Sequence, residues 1–302
     1  MKCLIVGCGY VGLPLGAELV RLGHEVSGLR RNPAAENELK AAGLRPLFGD
    51  VTRPETLAAL PREFDWVVNC VAAGGDAENY RQVYLQGTRH LIEWLAPNPP
   101  RKFVYTGSTS VYGQTDGSAV KESSPAEPSA ETAKVLRETE TVLLASAADR
   151  KFPAVILRIA GIYGPDRGHA FKQFLKNEAR IEGDGSRVLN MIHRDDVIGC
   201  ILAALKSGRP AEIYNAVDDE PVTQANFFQW LAATVGKYPP PAVPENPDEN
   251  RKRGATSKRV SNRRLKMELG YRFKYPNFRQ GYNAEILRLE RAGQLEVAPD
   301  ER

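Results

Sequence analysis

Three glycines near the start of the chain, Gly7-x-Gly9-x-x-Gly12 within Val6-Gly-Cys-Gly-Tyr-Val-Gly12, have the spacing with which a backbone grips a pyrophosphate. In such a loop the first glycine permits a tight turn. The second removes a side chain where the backbone meets the phosphates, and the third lets a helix pack close to a strand. The helix N-terminus then offers free N–H groups and the positive end of its dipole to the anion. Tyr10 and Val11 complete the loop and join Gly7, Gly9 and Gly12 as candidate contacts to a dinucleotide. The motif needs a strand before it and a helix after it. The short apolar run at 2–6 and the helical pattern over 10–22 supply both.

A second cluster bears on which dinucleotide. A site that prefers NAD carries an acidic residue about 20 positions further on, where it meets the ribose hydroxyls. Here that stretch reads Gly28-Leu29-Arg30-Arg31-Asn32 and contains no carboxylate. Arg30 and Arg31 are suited to a 2′-phosphate, which a guanidinium pairs with well. The plainer alternative is a solvated surface pair. The cofactor expected is NADP, with NAD as the alternative.

These residues must be carried by a scaffold, and the rest of the N-terminal half describes one. Apolar runs at 24–29, up to 48–50, at 66–73, 102–108 and 153–159 read as strands. Helical patterns at 34–42, 78–96 and 131–147 fall between them. Strand and helix alternate, which predicts an α/β fold: a Rossmann-type doubly wound parallel sheet with a smaller C-terminal substrate lobe. Beyond residue 160 the pattern loosens, with helices expected at 168–178 and 195–206. The Pro-rich then basic stretch 238–256 reads as a mobile loop, and the charged last twenty residues as a segment that frays. The expected division is an NAD(P)-binding domain over 1–165, to which 187–217 returns, and a substrate-binding lobe within 166–302.

Composition narrows the partners. Hydrophobic residues make up 42% and charged residues 26%, an ordinary globular balance, and a net charge of +4 is too weak to argue for nucleic acid. No apolar run approaches the roughly 20 residues of a membrane span, and Met1-Lys2-Cys3 leads straight into a strand without room for a signal peptide. Cys3, Cys8, Cys70 and Cys200 form no Cys-x-x-Cys pair, so reduced thiols and a cytoplasmic location are expected. The partner expected is a small-molecule substrate, with neither nucleic acid nor membrane.

The opening string VGCGYVGLPLG resembles the UDP-glucose and UDP-mannosamine dehydrogenases, but that likeness ends after about a dozen residues. Those enzymes need a downstream catalytic cysteine and a second nucleotide-binding half. Cys200, in DDVIGCILAAL, reads as a buried thiol on an apolar helix face instead. A different resemblance runs through nearly the whole chain. FVYTGSTSVYG at 103–113, KESSPAEP at 121–128, ILRIAGIYGP at 156–165, NMIHRDDVIGCILAAL at 190–205 and RRLKMELGYRFKYPNFRQGY at 263–282 resemble, in order, signatures of the extended short-chain dehydrogenase/reductases, the NAD-dependent epimerase/dehydratase-like family. The first-strand motif departs from that family's usual Gly-x-x-Gly-x-x-Gly and is similar to its atypical branches.

The resemblance implies further site residues. It assigns Asp50, Val51, Val71, Ala72 and Ala73 to the cofactor, although Asp50 reads equally as a turn former or helix cap for the segment after it. It places Ser108 where the family orients the substrate oxygen, and Lys134 where the family's lysine holds the nicotinamide ribose and tunes a tyrosine four residues earlier. At that earlier position stands Ala130, which has no proton to give. Lys134 reads alternatively as a solvated partner of Glu138. Tyr112, Tyr163, Glu131 and a bound water are the substitute donors the sequence offers, and NADP(H) binding without turnover is the alternative to catalysis. Where family members that act on sugar nucleotides often carry an arginine, four residues before His193, this chain has Leu189, with Arg187 two residues away. His193 reads as a hydrogen-bonded structural residue more readily than as a base. The basic residues Arg251, Lys252, Arg253, Lys258, Arg259, Arg263 and Arg264 read as a solvated loop or as an anion-facing patch. The implied activity is that of an NAD(P)-dependent oxidoreductase, epimerase or dehydratase on a small polyhydroxylated or sugar-type substrate. The implied assembly is a homodimer through the helices at 78–96 and 131–147.

Overall fold

The computed structural model describes residues 1–244 and 256–295. Its centre is a seven-stranded sheet: β1 (Lys2–Val6), β2 (Glu25–Arg30), β3 (Arg45–Phe48), β4 (Trp66–Asn69), β5 (Lys102–Ser108), β6 (Ala154–Ile159) and β7 (Ile213–Ala216). Every pairing is parallel, in the spatial order β7-β6-β5-β4-β1-β2-β3. A parallel sheet is covered on both faces, so its strands need not alternate. Cys3, Leu4, Ile5 and Val6 are accordingly all buried in succession, as is all of β6. Strand order reverses between β1 and β4, and Val6 lies in register with both Leu29 of β2 and Asn69 of β4. The carboxyl ends of these strands thus open a crevice at the switch point, where such sheets bind ligands.

The helices that cover the sheet are α1 (Gly12–Arg21), α2 (Glu36–Ala41), α3 (Pro54–Ala58), a composite helix from Ala77 to Leu95, and the long helix Glu131–Arg150. The composite helix departs from the regular one expected over 78–96. Its middle, Arg81–Gln86, is a π segment, which widens the turn and alters which side chains share a face.

Beyond β6 a second, aromatic core forms around Phe171, Phe174, Phe227, Phe228, Phe278 and Tyr282. Helices His169–Leu175, Gln224–Val235 and Phe278–Arg291 supply it. The last of these corrects the expectation of a fraying C-terminus. It is capped by Asn277, whose side chain accepts from Gln280 N–H, and it buries Tyr282, Glu285 and Ile286. Its buried face takes Glu285 as well, paired with Arg288 at 2.8 Å, so charge count alone misjudged it. Within the expected loop 238–256, Ala242–Val243 pairs with Ile181–Glu182 as a short parallel strand. Residues 245–255, with Arg251, Lys252 and Arg253, lie outside the described residues.

Candidate active site

The crevice is a cleft of about 390 Å³, within the range of small-molecule sites. The glycine loop forms its floor, and the three glycines are there for three different reasons. Gly7 has φ +89°, and a Cβ on it would lie 2.9 Å from the backbone of Cys70. A Cβ on Gly12 would lie 2.2 Å from the Gly7 carbonyl oxygen, so that glycine sets helix against turn. A Cβ on Gly9 would meet nothing within 4 Å, because it would project into the cleft. The turn is pinned by Gly7 N–H donating to Leu29 O at 3.1 Å. Helix α1 begins with no side-chain cap and no acidic residue in its first turn, which leaves its positive end to a ligand. Cys8 and Cys70 flank the loop, and burial pushes both thiols up to about 12, so neither opposes an anion with a thiolate.

Arg30 and Arg31 both line the cleft, but they are not equivalent. The Arg30 guanidinium donates to Cys8 O and lies 3.6 Å from the Glu38 carboxylate. Arg31 is exposed and has no carboxylate partner among the described residues. Asp50, Val51, Val71 and Ala72 also line the cleft. Asp50 belongs to a turn as well: its Oδ1 accepts from Thr52 N–H at 2.9 Å and from Thr52 Oγ1 at 2.8 Å. Ala73 is not part of the lining. Its N–H donates to the Tyr84 hydroxyl at 3.2 Å.

At the other end of the cleft, β5 delivers Thr106, Gly107 and Ser108. Ser108 is buried, and its Oγ accepts from Ser110 N–H at 3.2 Å, capping the single turn Thr109–Val111. Below it, Tyr112 donates its hydroxyl to Asn215 Oδ1 at 2.9 Å and lies under the Arg158 guanidinium. Arg158 in turn makes a two-point ion pair with Glu140, at 2.9 and 2.7 Å, with both side chains buried. This network braces β5 and β6 against the helix Glu131–Arg150. It also commits Tyr112 to structure.

The other residues proposed for proton transfer are placed elsewhere. Ala130 is the N-cap of that helix and presents no polar side chain. Lys134 is exposed, lies outside the cleft lining, and donates to Glu131 at 2.6 Å rather than to Glu138, which pairs with Arg81 at 2.9 Å. Tyr163 is buried and stacks on Tyr282 at 4.3 Å. His193 caps the helix Arg194–Ser207, accepting from Asp195 N–H at 3.1 Å. Burial lowers its pKa, and its ring packs on Tyr275 at 4.0 Å. Leu189 lies in a short strand against Val222–Thr223, and neither it nor Arg187 lines the cleft. Cys200 is fully buried, with its thiol pushed far up by desolvation. Among the described residues no group of three side chains could hold a metal, and no helix is long and apolar enough to cross a membrane.

The phenols that do face the cleft are Tyr10 and Tyr84. Helical periodicity puts Tyr84 and Val83 on one apolar face of the helix over 78–96 but does not show that this face reaches the cleft, which they line from the π segment. Arg167, also in the lining, carries no sequence signal, because the loop after β6 must fold before its direction is known.

Comparison with known proteins agrees with this architecture. The model of the NAD dependent epimerase/dehydratase family matches residues 3–216. Protein YeeZ of Escherichia coli strain K12 is 29% identical over 285 residues, covering 91% of this chain and 97% of YeeZ. The human dTDP-D-glucose 4,6-dehydratase is 30% identical over 146 residues, covering 46% of this chain and 42% of that protein. Among solved structures, the dTDP-glucose 4,6-dehydratase DesIV of Streptomyces venezuelae, with NAD and TYD bound, superposes with a TM-score of 0.82 over 97% of this chain and 98% of DesIV, at 24% identity.

Proposed function

Because the chain belongs to the NAD-dependent epimerase/dehydratase family, we propose that it is an NADP(H)-dependent member that acts on an oxygen-bearing carbon of a small polyhydroxylated substrate. The dinucleotide supplies, when bound, the donor or acceptor of hydride. The open side of Gly9 and the uncapped start of α1 suit its pyrophosphate, and the exposed guanidinium of Arg31 suits a 2′-phosphate. Ser108 holds the substrate oxygen: its Oγ accepts from Ser110 N–H, so its own proton is left to donate into the cleft.

The observation that carries the NADP reading is Arg31, a cation in the cleft with no carboxylate partner among the described residues and no acid at the end of β2. NADPH should bind at least about tenfold tighter than NADH by calorimetry, the worth of one or two charge-assisted hydrogen bonds. Arg31→Ala should bring the two affinities together. Arg30→Ala should weaken both, because Arg30 also holds the phosphate loop through Cys8 O. Equal affinities for NADPH and NADH in the unaltered protein would sink the NADP assignment.

A second reading, NADP(H) binding without turnover, draws on Ala130 together with the burial of Tyr112 and Tyr163. The two differ in whether any carbonyl compound oxidises bound NADPH.

A further inference from the structure

We infer that Arg167, a residue of the loop after β6, is a second grip on the cofactor's pyrophosphate, closing over the glycine loop from the opposite wall. The inference rests on the dinucleotide reading above and deepens it. Arg167 lines the cleft together with Gly7, Gly9, Tyr10 and Val11. Its guanidinium carbon lies 4.9 Å from the centre of the Tyr10 ring, and Tyr10 directly follows Gly9. A cation over an aromatic face is held in place while its N–H donors stay free.

The charge of Arg167 is uncommitted. It makes no ion pair among the described residues, whereas its neighbour over the same ring, Arg194, pairs at 3.2 Å with Asp195, a carboxylate it shares with Lys274, and does not line the cleft. Arg288 on the adjoining helix is likewise taken, by Glu285 and Asp166 at 2.8 Å each.

The turn that carries Arg167 is rigid. Gly164 N–H donates to Arg167 O at 3.1 Å, and Arg167 N–H returns to Gly164 O at 2.9 Å. Between them, Pro165 O accepts from the Tyr10 hydroxyl at 2.9 Å, tying the turn to the glycine loop. Asp166, at φ +59°, is held from the other side, its N–H by Glu285 at 3.3 Å and its carboxylate by Arg288. A turn fastened at both ends, with an unpaired guanidinium over the residue after Gly9, is placed for an anion at the start of α1. The 2′-phosphate belongs to Arg31, at the end of β2. The anion left for Arg167 is the pyrophosphate, which every dinucleotide carries whatever its ribose bears.

The test separates the two arginines with fragments of the cofactor. ADP-ribose carries the pyrophosphate and no 2′-phosphate, and adenosine 2′-monophosphate carries the reverse. By calorimetry Arg167→Ala should weaken ADP-ribose and NADPH by about tenfold each and leave adenosine 2′-monophosphate within about twofold. Arg31→Ala should show the opposite pattern for the two fragments. Arg167→Lys should recover part of the loss, because a point charge replaces a fork. Arg167 is exposed, and the unliganded melting temperature of each variant should match that of the unaltered protein. Arg167→Ala binding ADP-ribose as tightly as the unaltered protein would overturn the clamp and leave the dinucleotide reading standing. An unaltered protein that binds neither NADPH nor ADP-ribose would overturn both.

Discussion

The two ends of the cleft are built by different means. The glycine-loop end is made of backbone: Gly7, Gly9 and Gly12 shape it, and a helix start without a competing side chain faces it. The β5 end is lined by side chains, among them Thr106 and Ser108. The tyrosines and histidine expected near it are engaged outside the lining: Tyr112 holds Asn215, His193 caps a helix, and Tyr163 is stacked away in the second core. A backbone site is hard to lose by single substitutions outside its glycines. A side-chain site changes its chemistry by one substitution, and the proposed function turns on one such position, Ala130, where the resemblance puts the family's tyrosine.

Gly9→Val gives the sharpest break. The fold should tolerate it, since a Cβ there meets no protein atom within 4 Å. The added methyls would occupy the space of the ligand, so NADPH affinity should fall by more than about a hundredfold, the equivalent of roughly 2.8 kcal/mol. Calorimetry checks the affinity, and the unliganded melting temperature checks the fold. A Gly9→Val protein that still binds NADPH would move the cofactor away from this loop.

The same difference explains what could be read from the residues alone. The glycine loop and the alternating strands declare themselves because backbone requirements and periodicity are local. Ser108, which the family resemblance singled out, lines the cleft at the end of β5. Arg167 was not legible, because a turn pinned to Tyr10 aims it, and Tyr84 showed only as part of an apolar helix face; that either reaches the cleft depends on contacts distant in sequence. The terminal helix Phe278–Arg291 was hidden for a related reason: Tyr282 is buried against the distant Tyr163 and Phe171.

A buried acid outside the cleft lining should affect stability rather than binding, and Asp218 tests this. It is 1% exposed, its Oδ2 has no hydrogen-bond partner, and its Oδ1 accepts from Glu220 N–H at 3.2 Å. Burial raises its pKa to about 8, with the charges of Asp219, Glu220 and Asp196 adding to the effect. Unfolded, the same group titrates near ~3.9. The native state therefore holds the extra proton between the two values. Its contribution is complete below about pH 4 and is lost as pH rises toward 8, at about 1.4 kcal/mol per pH unit. Asp218→Asn removes that slope and keeps an acceptor for Glu220. The melting temperature of the variant relative to the unaltered protein should rise by about 3 °C per pH unit between pH 5 and 8. A difference that stays constant across that range would show that Asp218 is not held protonated.

The smallest effect belongs to Ala130. Ala130 is half-buried at a helix N-cap in an extended conformation, with no side-chain hydrogen bond to lose, so Ala130→Tyr adds a phenol without displacing a partner. Lys134 lies four residues further along the same helix face. Its pair with Glu131 is exposed on both sides, 53% and 69%, and such pairs are worth about 0–1 kcal/mol. Little therefore opposes its ammonium turning from Glu131 toward a new phenol or a ribose hydroxyl. Ala130→Tyr should raise NADPH oxidation against a panel of aldehydes and ketoses severalfold, and Lys134→Ala in that background should return it to the starting rate. Lys134→Ala alone should change NADPH affinity by less than about twofold, because the ammonium begins on Glu131. If Ala130→Tyr binds NADPH normally and turnover does not rise, the missing phenol is not what limits this protein, and either another group carries the proton or the protein binds NADP(H) without turnover.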